Sequence, residues 1–531
     1  MEFDFVIVGA GSAGCVLANR LSESGSFTVA VLEAGGPDTN RWIHIPVGYF
    51  KTMGNPETDW CFNTEPDPGL NGRSIPWPRG KVLGGSSSIN GLLYVRGQPR
   101  DFDTWRQLGN PGWSWDDVLP FFKRSEGWED GDSELRGGSG PLRVCRATMR
   151  REIIDAWITS AEAAGYRFNE DYNGADQEGV SIYQMTASGG KRCSAAAAYL
   201  KPARSRKNLK VLTHTQVASL TIKEGKAVGL TAFQHGEKIT LKARREIILS
   251  AGSICSPQIL MLSGIGRSED LREHGIKMVL ESPGVGQNLQ DHLQARPIFK
   301  CSPPTLNTET RSLARRAMMA VQYVTTKSGP MSMAASFAAA FVKTRPELDT
   351  PDIQFHTQPF STDSWSKGLN PFSAFTASVT QLRPESIGHL TLRSNDFRQH
   401  PAIYPNYLAT ERDRQTMIDG VRIARKISDY EPVKSLIESE YAPGPDVADK
   451  DDEILEWIRN KATTIFHPTG TCKMGVDDHA VVDPRLKVRG VDGLRVADAS
   501  IMPVITSGNT NAPSVMIGEK ASDLILQDTR S

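Results

Sequence analysis

Histidine is scarce in this chain, ten among 531 residues, and one of them, His467, sits in TTIFHPTGTCKMG (463–475). An apolar stretch leads into it and a Pro-x-Gly turn follows, so the imidazole stands at the end of an element. Three chemistries are open to it: zinc ligation with Cys472, burial as a core side chain, or proton transfer. Zinc needs three or four ligands at workable spacing, and these two residues do not form a usual pair; no metal is expected. A base is the demanding alternative: an imidazole with an ordinary pKa near 6.5 is matched to taking a proton at neutral pH.

The first thirty-five residues carry a second pattern. Phe5–Val8 reads as a buried strand. Gly9, Gly11 and Gly14 follow as Gly-x-Gly-x-x-Gly, with Ser12 and Ala13 between them, and the apolar spacing to Leu21 predicts a helix. A second apolar run, Phe27–Leu32, ends in Glu33 and Ala34. The glycines let backbone approach a pyrophosphate at a helix N-terminus, and the acid is placed for a ribose hydroxyl. This predicts dinucleotide binding without choosing between FAD and NAD.

Two further stretches are rich in small residues. PRGKVLGGSSSINGLLYVRGQPRDFD (78–103) lacks the spacing of a Walker loop; it reads as a cofactor-lining segment or an ordinary Gly/Ser loop. REIILSAG (245–252) and GSICSPQILMLSGIG (252–266) predict strand, turn and helix, with Ser256-Pro257 at the helix start.

Residues 80–103 and 252–266 resemble the two signatures of the glucose-methanol-choline (GMC) FAD oxidoreductases. PGVGQNLQDH (283–292), HPTGTCKMG (467–475), LRVADASIMP (494–503) and SGNTNAPSVMIGEKASD (507–523) are similar to that family in order and spacing. The resemblance runs from Phe5 to about Leu526 and is nearest the bacterial choline, alcohol, sorbose and polyethylene glycol dehydrogenase branch. It implies an α/β chain: a Rossmann-like FAD-binding domain interleaved with a substrate domain built on an antiparallel sheet with helices. The FAD segments would be 1–150, 200–295 and 460–531, and the substrate segments 151–199 and 296–459. It implies His467 as the base and Asn511 as its partner, with Asn509 a flavin-loop residue. Besides the first glycine motif, it implies cofactor contacts at Arg79, Gly85, Ser86, Asn90, Gly91, Leu92, Val217, Asp498 and Ala499. Members with a histidyl–flavin link carry the histidine where this chain has Ile89, so a noncovalent FAD is expected.

The resemblance implies a small alcohol as substrate and a quinone, another carrier or O₂ as acceptor, with a hydroxynitrile lyase as the competitor from another class. Choline-type members need a carboxylate for the trimethylammonium, expected within MSMAASFAAAFV (331–342), near Phe337 and Ala338; this stretch has none. A neutral primary alcohol is therefore expected, in a pocket walled by Phe466 and by Phe337 and Trp365, with His356 reaching in.

Composition fits such an enzyme. Net charge is +0, so nothing points to nucleic acid. Seven scattered cysteines without Cys-x-x-Cys read as reduced thiols in the cytoplasm. No signal peptide and no apolar run long enough to span a bilayer is found. RSLARRAMMAVQYV (311–324) reads as a basic amphipathic helix, covering the site mouth or touching a membrane at its periphery.

Overall fold

The computed structural model describes residues 1–364 and 368–530. Glu2–Val8 forms the anticipated strand, and residues 5–8 are buried on both sides, as an inner parallel strand must be. Val29–Leu32 and then Leu209–Leu212 pair beside it in parallel, and Glu237–Leu249 lies on its other side, also parallel. That last strand changes partner along its length. Residues 237–242 pair antiparallel with Lys226–Gln234, which pairs in turn with Thr215–Lys223. Its end, Ile247–Leu249, pairs in parallel with Leu494–Val496.

Helix Ser12–Ser22 packs on the first two strands and is crossed by helix Asn511–Asp528. The crossing is close: a Cβ on Gly518 would stand 2.8 Å from the Ala13 carbonyl oxygen. Glu519 ties it down. Its carboxylate is fully buried and accepts from Arg20, Arg124 and the Tyr199 hydroxyl. The chain's two ends thus form one wall of the first layer.

The second sheet is antiparallel. Gly179–Ile182, Ala338–Val342, Ile353–Gln358, Ala374–Gln381, Ile298–Cys301 and Ile437–Ala442 lie in that spatial order. Leu293–Ala295 pairs with Ala374–Gln381 and with Thr463–Thr464. Helix Glu411–Ser428 packs against this sheet, and a separate apolar core, including Trp157, Phe355 and Phe375, lies beneath it.

We propose dividing the chain by these two sheets. The division departs from the expected boundaries where Leu293–Ala295 and Thr463–Thr464 belong to the second sheet, and where Cys193, Ala195, Tyr199, Leu390 and Leu392 pack into the first core.

Two local expectations need correction. Helix Gly252–Leu262 begins before Pro257, which lies inside it. A proline there leaves the carbonyl four residues back without its helical donor. That carbonyl, on Ser253, instead accepts from Thr471 Oγ1 at 2.6 Å, which explains the exception. Helix Leu313–Thr326 exists, but none of its residues lines the cavity described below, so it does not cover the mouth. Its apolar residues Leu313, Met318, Val321 and Val324 are instead between 62% and 77% exposed.

Candidate active site

One deep cavity runs from the Gly9 turn at the end of the first parallel strand to the face of the second sheet. At its first end, Gly9 takes a left-handed conformation (φ +99°), and a Cβ on Gly14 would fall 1.9 Å from the Gly9 carbonyl oxygen. Gly14 does not line the cavity; its lack of a side chain lets the helix start against the turn. Gly9, Gly11, Ser12 and Ala13 do line it and present a helix N-terminus to an anion. Glu33 and Ala34 line it from the second strand's end. Glu33 accepts from the backbone N–H of Ala10 at 3.1 Å and of Gly35 at 2.9 Å. Burial pushes its pKa up to about 7, against those two donors and Lys81. The acid therefore binds the two turns together.

The small-residue stretch crosses the middle. Gly85, Ser86, Ile89, Asn90, Gly91 and Leu92 line the cavity, with Val217 opposite and Asp498 and Ala499 nearby. Asn90 Oδ1 accepts from Leu92 N–H and from Arg192 Nη1. Asp498 accepts from Gly252 N–H, Ser256 Oγ and Ser500 N–H. It is both a cap for the short helix Ala499–Ile501 and a cavity acid. Arg79 lines the cavity and donates to the Phe466 carbonyl oxygen.

The far end is built around His467. Its backbone N–H donates to Asp291 Oδ1 at 2.7 Å, and Thr464 Oγ1 and the Tyr407 hydroxyl donate to Oδ2. Burial pushes Asp291 up to about 6. These bonds hold Phe466 at φ +72°, a conformation a bulky residue adopts at a cost of roughly 1–3 kcal/mol. The strained turn aims the ring of the next residue.

One hydrogen-bond chain assigns the proton of His467 to Nδ1, and a second agrees with it. In the first, His292 Nε2 lies 3.0 Å from the Leu382 carbonyl oxygen. A carbonyl only accepts, so Nε2 is protonated. Burial holds His292 near pKa 4, hence neutral at pH 7, so its Nδ1 is an acceptor. His467 Nδ1 lies 2.9 Å away and must donate to it. His467 Nε2 is then unprotonated. In the second chain the Tyr183 hydroxyl donates to the Phe355 carbonyl and accepts from Gln354 Nε2. Gln354 Nε2 also donates to Asn509 Oδ1, which turns Asn509 Nδ2 onto His467 Nε2 at 3.1 Å. Both chains start at backbone carbonyls, and both make His467 Nε2 the acceptor facing the cavity. Burial and the positive charge or potential charge of His292, His356 and Arg79 hold His467 well below its ordinary pKa.

The expectation for Asn511 is corrected. It heads helix Asn511–Asp528, and its Oδ1 accepts from Ser12 Oγ at 2.8 Å, at the cofactor end. Asn509, expected in the flavin loop, meets the imidazole instead. Phe337 is also corrected: it does not line the cavity and lies in the second sheet's core. From 331–342 only Ala335 and Ser336 reach the cavity. His356 and Phe466 do line it, and Trp365 lies outside the described residues. Sequence reasoning missed Asp291, His292, Gln294, Arg296, Gln354 and Gln358. The signal was alternation. Residues 292, 294 and 296 share one strand face, as do 354, 356 and 358.

The GMC oxidoreductase pattern matches residues 3–294 with its N-terminal part and 384–518 with its C-terminal part. The chain belongs to the GMC oxidoreductase family. Curated relatives include the oxygen-dependent choline dehydrogenase of Brucella suis, 45% identical over 100% of this chain and 96% of that protein. Another is the mitochondrial choline dehydrogenase of Homo sapiens, 42% identical over 99% and 90%. Among solved structures, pyridoxine 4-oxidase from Mesorbium loti superposes with a TM-score of 0.90 at 30% identity, covering 99% of each chain. A formate oxidase variant of Aspergillus oryzae RIB40 gives 0.93 at 29% identity, over 100% and 99%. This GMC chain is an FAD-dependent, alcohol-oxidising enzyme. The cavity suits that cofactor: the Gly9–Gly14 cradle and Glu33 for the adenosine diphosphate, and the 85–92 stretch for the flavin.

Glu33→Gln tests the first end. The substituted amide sets an N–H₂ against one of two backbone N–H groups and removes a charged acceptor. FAD affinity, measured by flavin fluorescence on titrating apoprotein, should fall by about 1.5–3 kcal/mol; unchanged affinity would remove Glu33 from the cofactor site.

Proposed function

We propose that this enzyme oxidises a primary alcohol without a positive charge to its aldehyde, with His467 as base and Asn509 as donor to the developing alkoxide. The observation that carries the reading is the contact of His467 Nε2, at the cavity, with the Asn509 amide nitrogen at 3.1 Å, while Nδ1 is taken up by His292. When bound, FAD supplies the two-electron acceptor for the hydride of the carbinol carbon. His467 Nε2 takes the hydroxyl proton. Asn509 cannot titrate; its Nδ2–H stabilises negative charge on oxygen as that proton leaves. The new N–H at Nε2 completes an imidazolium whose Nδ1–H still donates to His292, so the ring need not turn. Phe466 excludes water beside the base.

The absence of positive charge on the substrate rests on the lining. Among the described residues that line the cavity, the carboxylates are Glu33 and Asp498, and both are engaged at the cofactor end. A buried trimethylammonium would find no carboxylate at the catalytic end, and burying an unpaired charge is expensive. The named relatives are choline dehydrogenases, so choline is the rival substrate. We take the electron acceptor to be a quinone or another carrier, and O₂ as the alternative.

FAD is held noncovalently in this reading, because the buried Ile89 side chain that lines the cavity has no nucleophile. The seven thiols form no disulfide and suit the cytoplasm. Among the described residues no helix is long and apolar enough to cross a membrane. Helix Leu313–Thr326 supports contact with an anionic bilayer surface: its outward apolar residues are flanked by Arg311, Arg315, Arg316 and Lys327, and no acid occurs from 310 to 342.

His467→Ala should keep FAD and slow anaerobic flavin reduction by about 10²–10⁴-fold. Asn509→Ala should also slow it, whereas Asn511→Ala should spare reduction and weaken FAD binding; the reverse pattern would restore Asn511 as the partner. Because His467 is held below its ordinary pKa, the neutral base persists on acidification. The acid limb of kcat/KM for the wild type should therefore fall below pH 6.5; a limb above it would contradict the assignment. Acid precipitation should release the flavin to the supernatant, and yellow pellets would show a covalent link. The FAD-loaded enzyme should sediment with phosphatidylglycerol-containing vesicles and not with pure phosphatidylcholine ones, and Val321→Glu should abolish this; indifference to lipid charge would exclude the contact.

A further inference from the structure

The catalytic end of the cavity is not merely lacking in acids; it contains a fixed cation. Alternate residues of the segment through Leu293–Ala295 point to one face, which puts His292, Gln294 and Arg296 in a row. The first holds the base, and the other two line the cavity. On the neighbouring face, Gln354, His356 and Gln358 form a second row from strand Ile353–Gln358. The first of these orients Asn509, and the other two line the cavity. The two rows meet at their far ends: Arg296 Nη2 donates to Gln358 Oε1 at 3.2 Å, and Gln358 Nε2 donates to Ser336 Oγ at 3.2 Å. Every group of Gln358 that could face a ligand is thereby oriented with the guanidinium. His356 stands between the two ends, close enough to feel both Arg296 and His292. Its buried Nε2 has no hydrogen-bond partner among the described residues.

We propose that the substrate carries an anionic group, a carboxylate, received by the Arg296 guanidinium while its hydroxyl lies between His467 and Asn509. This rests on the alcohol-oxidation reading above and names the substrate class for that site. The separation of the two ends indicates where the carboxylate sits on the substrate. Residues 292 and 296 are four apart on an extended segment, about 13 Å of strand rise. The long arginine side chain covers part of that span. A carboxylate several bonds from the carbinol carbon fits, and one on the adjacent carbon does not. The same arrangement opposes choline. Its cationic end would enter the region of Arg296, where two like charges meet in a site of low dielectric. Arginine suits the role because its planar donors match a carboxylate in pairs. Gln294, on the same face, adds an amide where a cation-binding pocket would need an acid.

The experiment compares three alcohols as reductants of the FAD-loaded enzyme under anaerobic stopped flow: 6-hydroxyhexanoate, hexan-1-ol and choline. Wild type should show kcat/KM for the hydroxy acid about 10–100-fold above hexan-1-ol, the worth of a charge-assisted hydrogen bond, with choline slowest. Arg296→Met should bring the hydroxy acid down to the level of hexan-1-ol, with the loss in KM, since uniform binding is what it loses. Arg296→Lys should restore part of that advantage. A wild-type preference for choline or hexan-1-ol would overturn the proposal, as would equal losses for all three alcohols in Arg296→Met. The wild-type comparison decides the matter even if that variant fails to hold FAD. If no alcohol of any charge bleaches the flavin, alcohol oxidation itself fails, which is a different outcome from alcohols working without preference for the carboxylate.

Discussion

An imidazole can act as a base only through a nitrogen that lacks a proton, and a buried histidine is free to place that proton on either side. Here the choice is made by two backbone carbonyls. Leu382 fixes His292, His292 fixes His467 Nδ1, and Phe355 fixes Tyr183, Gln354 and finally Asn509. A backbone carbonyl cannot change its polarity, so the direction it sets is passed on by the side chains bonded to it. The rest of the catalytic end is arranged to keep these chains intact. Asp291 holds the backbone of the base while its neighbour His292 holds the ring, and Arg79 closes the turn from the other side. A left-handed phenylalanine survives there because four hydrogen bonds define its flanks.

This dependence explains the interleaved chain. The base must face both a nucleotide cofactor, which needs a parallel sheet with a helix N-terminus, and a substrate, which needs side chains converging from a second surface. Strand Thr463–Thr464 solves the problem locally. It pairs with Leu293–Ala295 of the antiparallel sheet, and the chain then returns to the first sheet at Leu494–Val496. His467 lies at the crossing. Burial at that junction lowers the dielectric, which keeps three imidazoles neutral and strengthens every dipole aimed at the reacting oxygen.

The cofactor half was legible in the sequence because its determinants are local. A glycine triplet, an apolar run and a terminal acid lie within thirty-five residues, and each has a backbone reason. His467 was legible through the resemblance and through its turn. In the reading proposed above its partner is Asn509 rather than Asn511; the two flank one threonine, and only the helix start distinguishes them. Once Asn511 begins that helix, its side chain turns back to Ser12. The substrate half was hardest. Its walls come from strand faces 292–296 and 354–358, which meet only in the folded sheet, and period-two alternation was visible in each without revealing that they face one cavity. Residues 331–342 bring only Ala335 and Ser336 to the cavity, and among the described lining residues no carboxylate stands at its catalytic end.

The tautomer of His467 is the most direct test of this account. Nitrogen NMR of the FAD-loaded enzyme labelled with ¹⁵N in its histidine rings, with the His467 signals identified from the His467→Ala spectrum, reads the protonation of each nitrogen. At neutral pH the account predicts a pyrrole-type, protonated Nδ1 and a pyridine-type, unprotonated Nε2. His292→Ala should blur that distinction, because the carbonyl of Leu382 would no longer dictate it. A proton on Nε2 of the resting wild type, or an imidazolium at neutral pH, would contradict the account at its root.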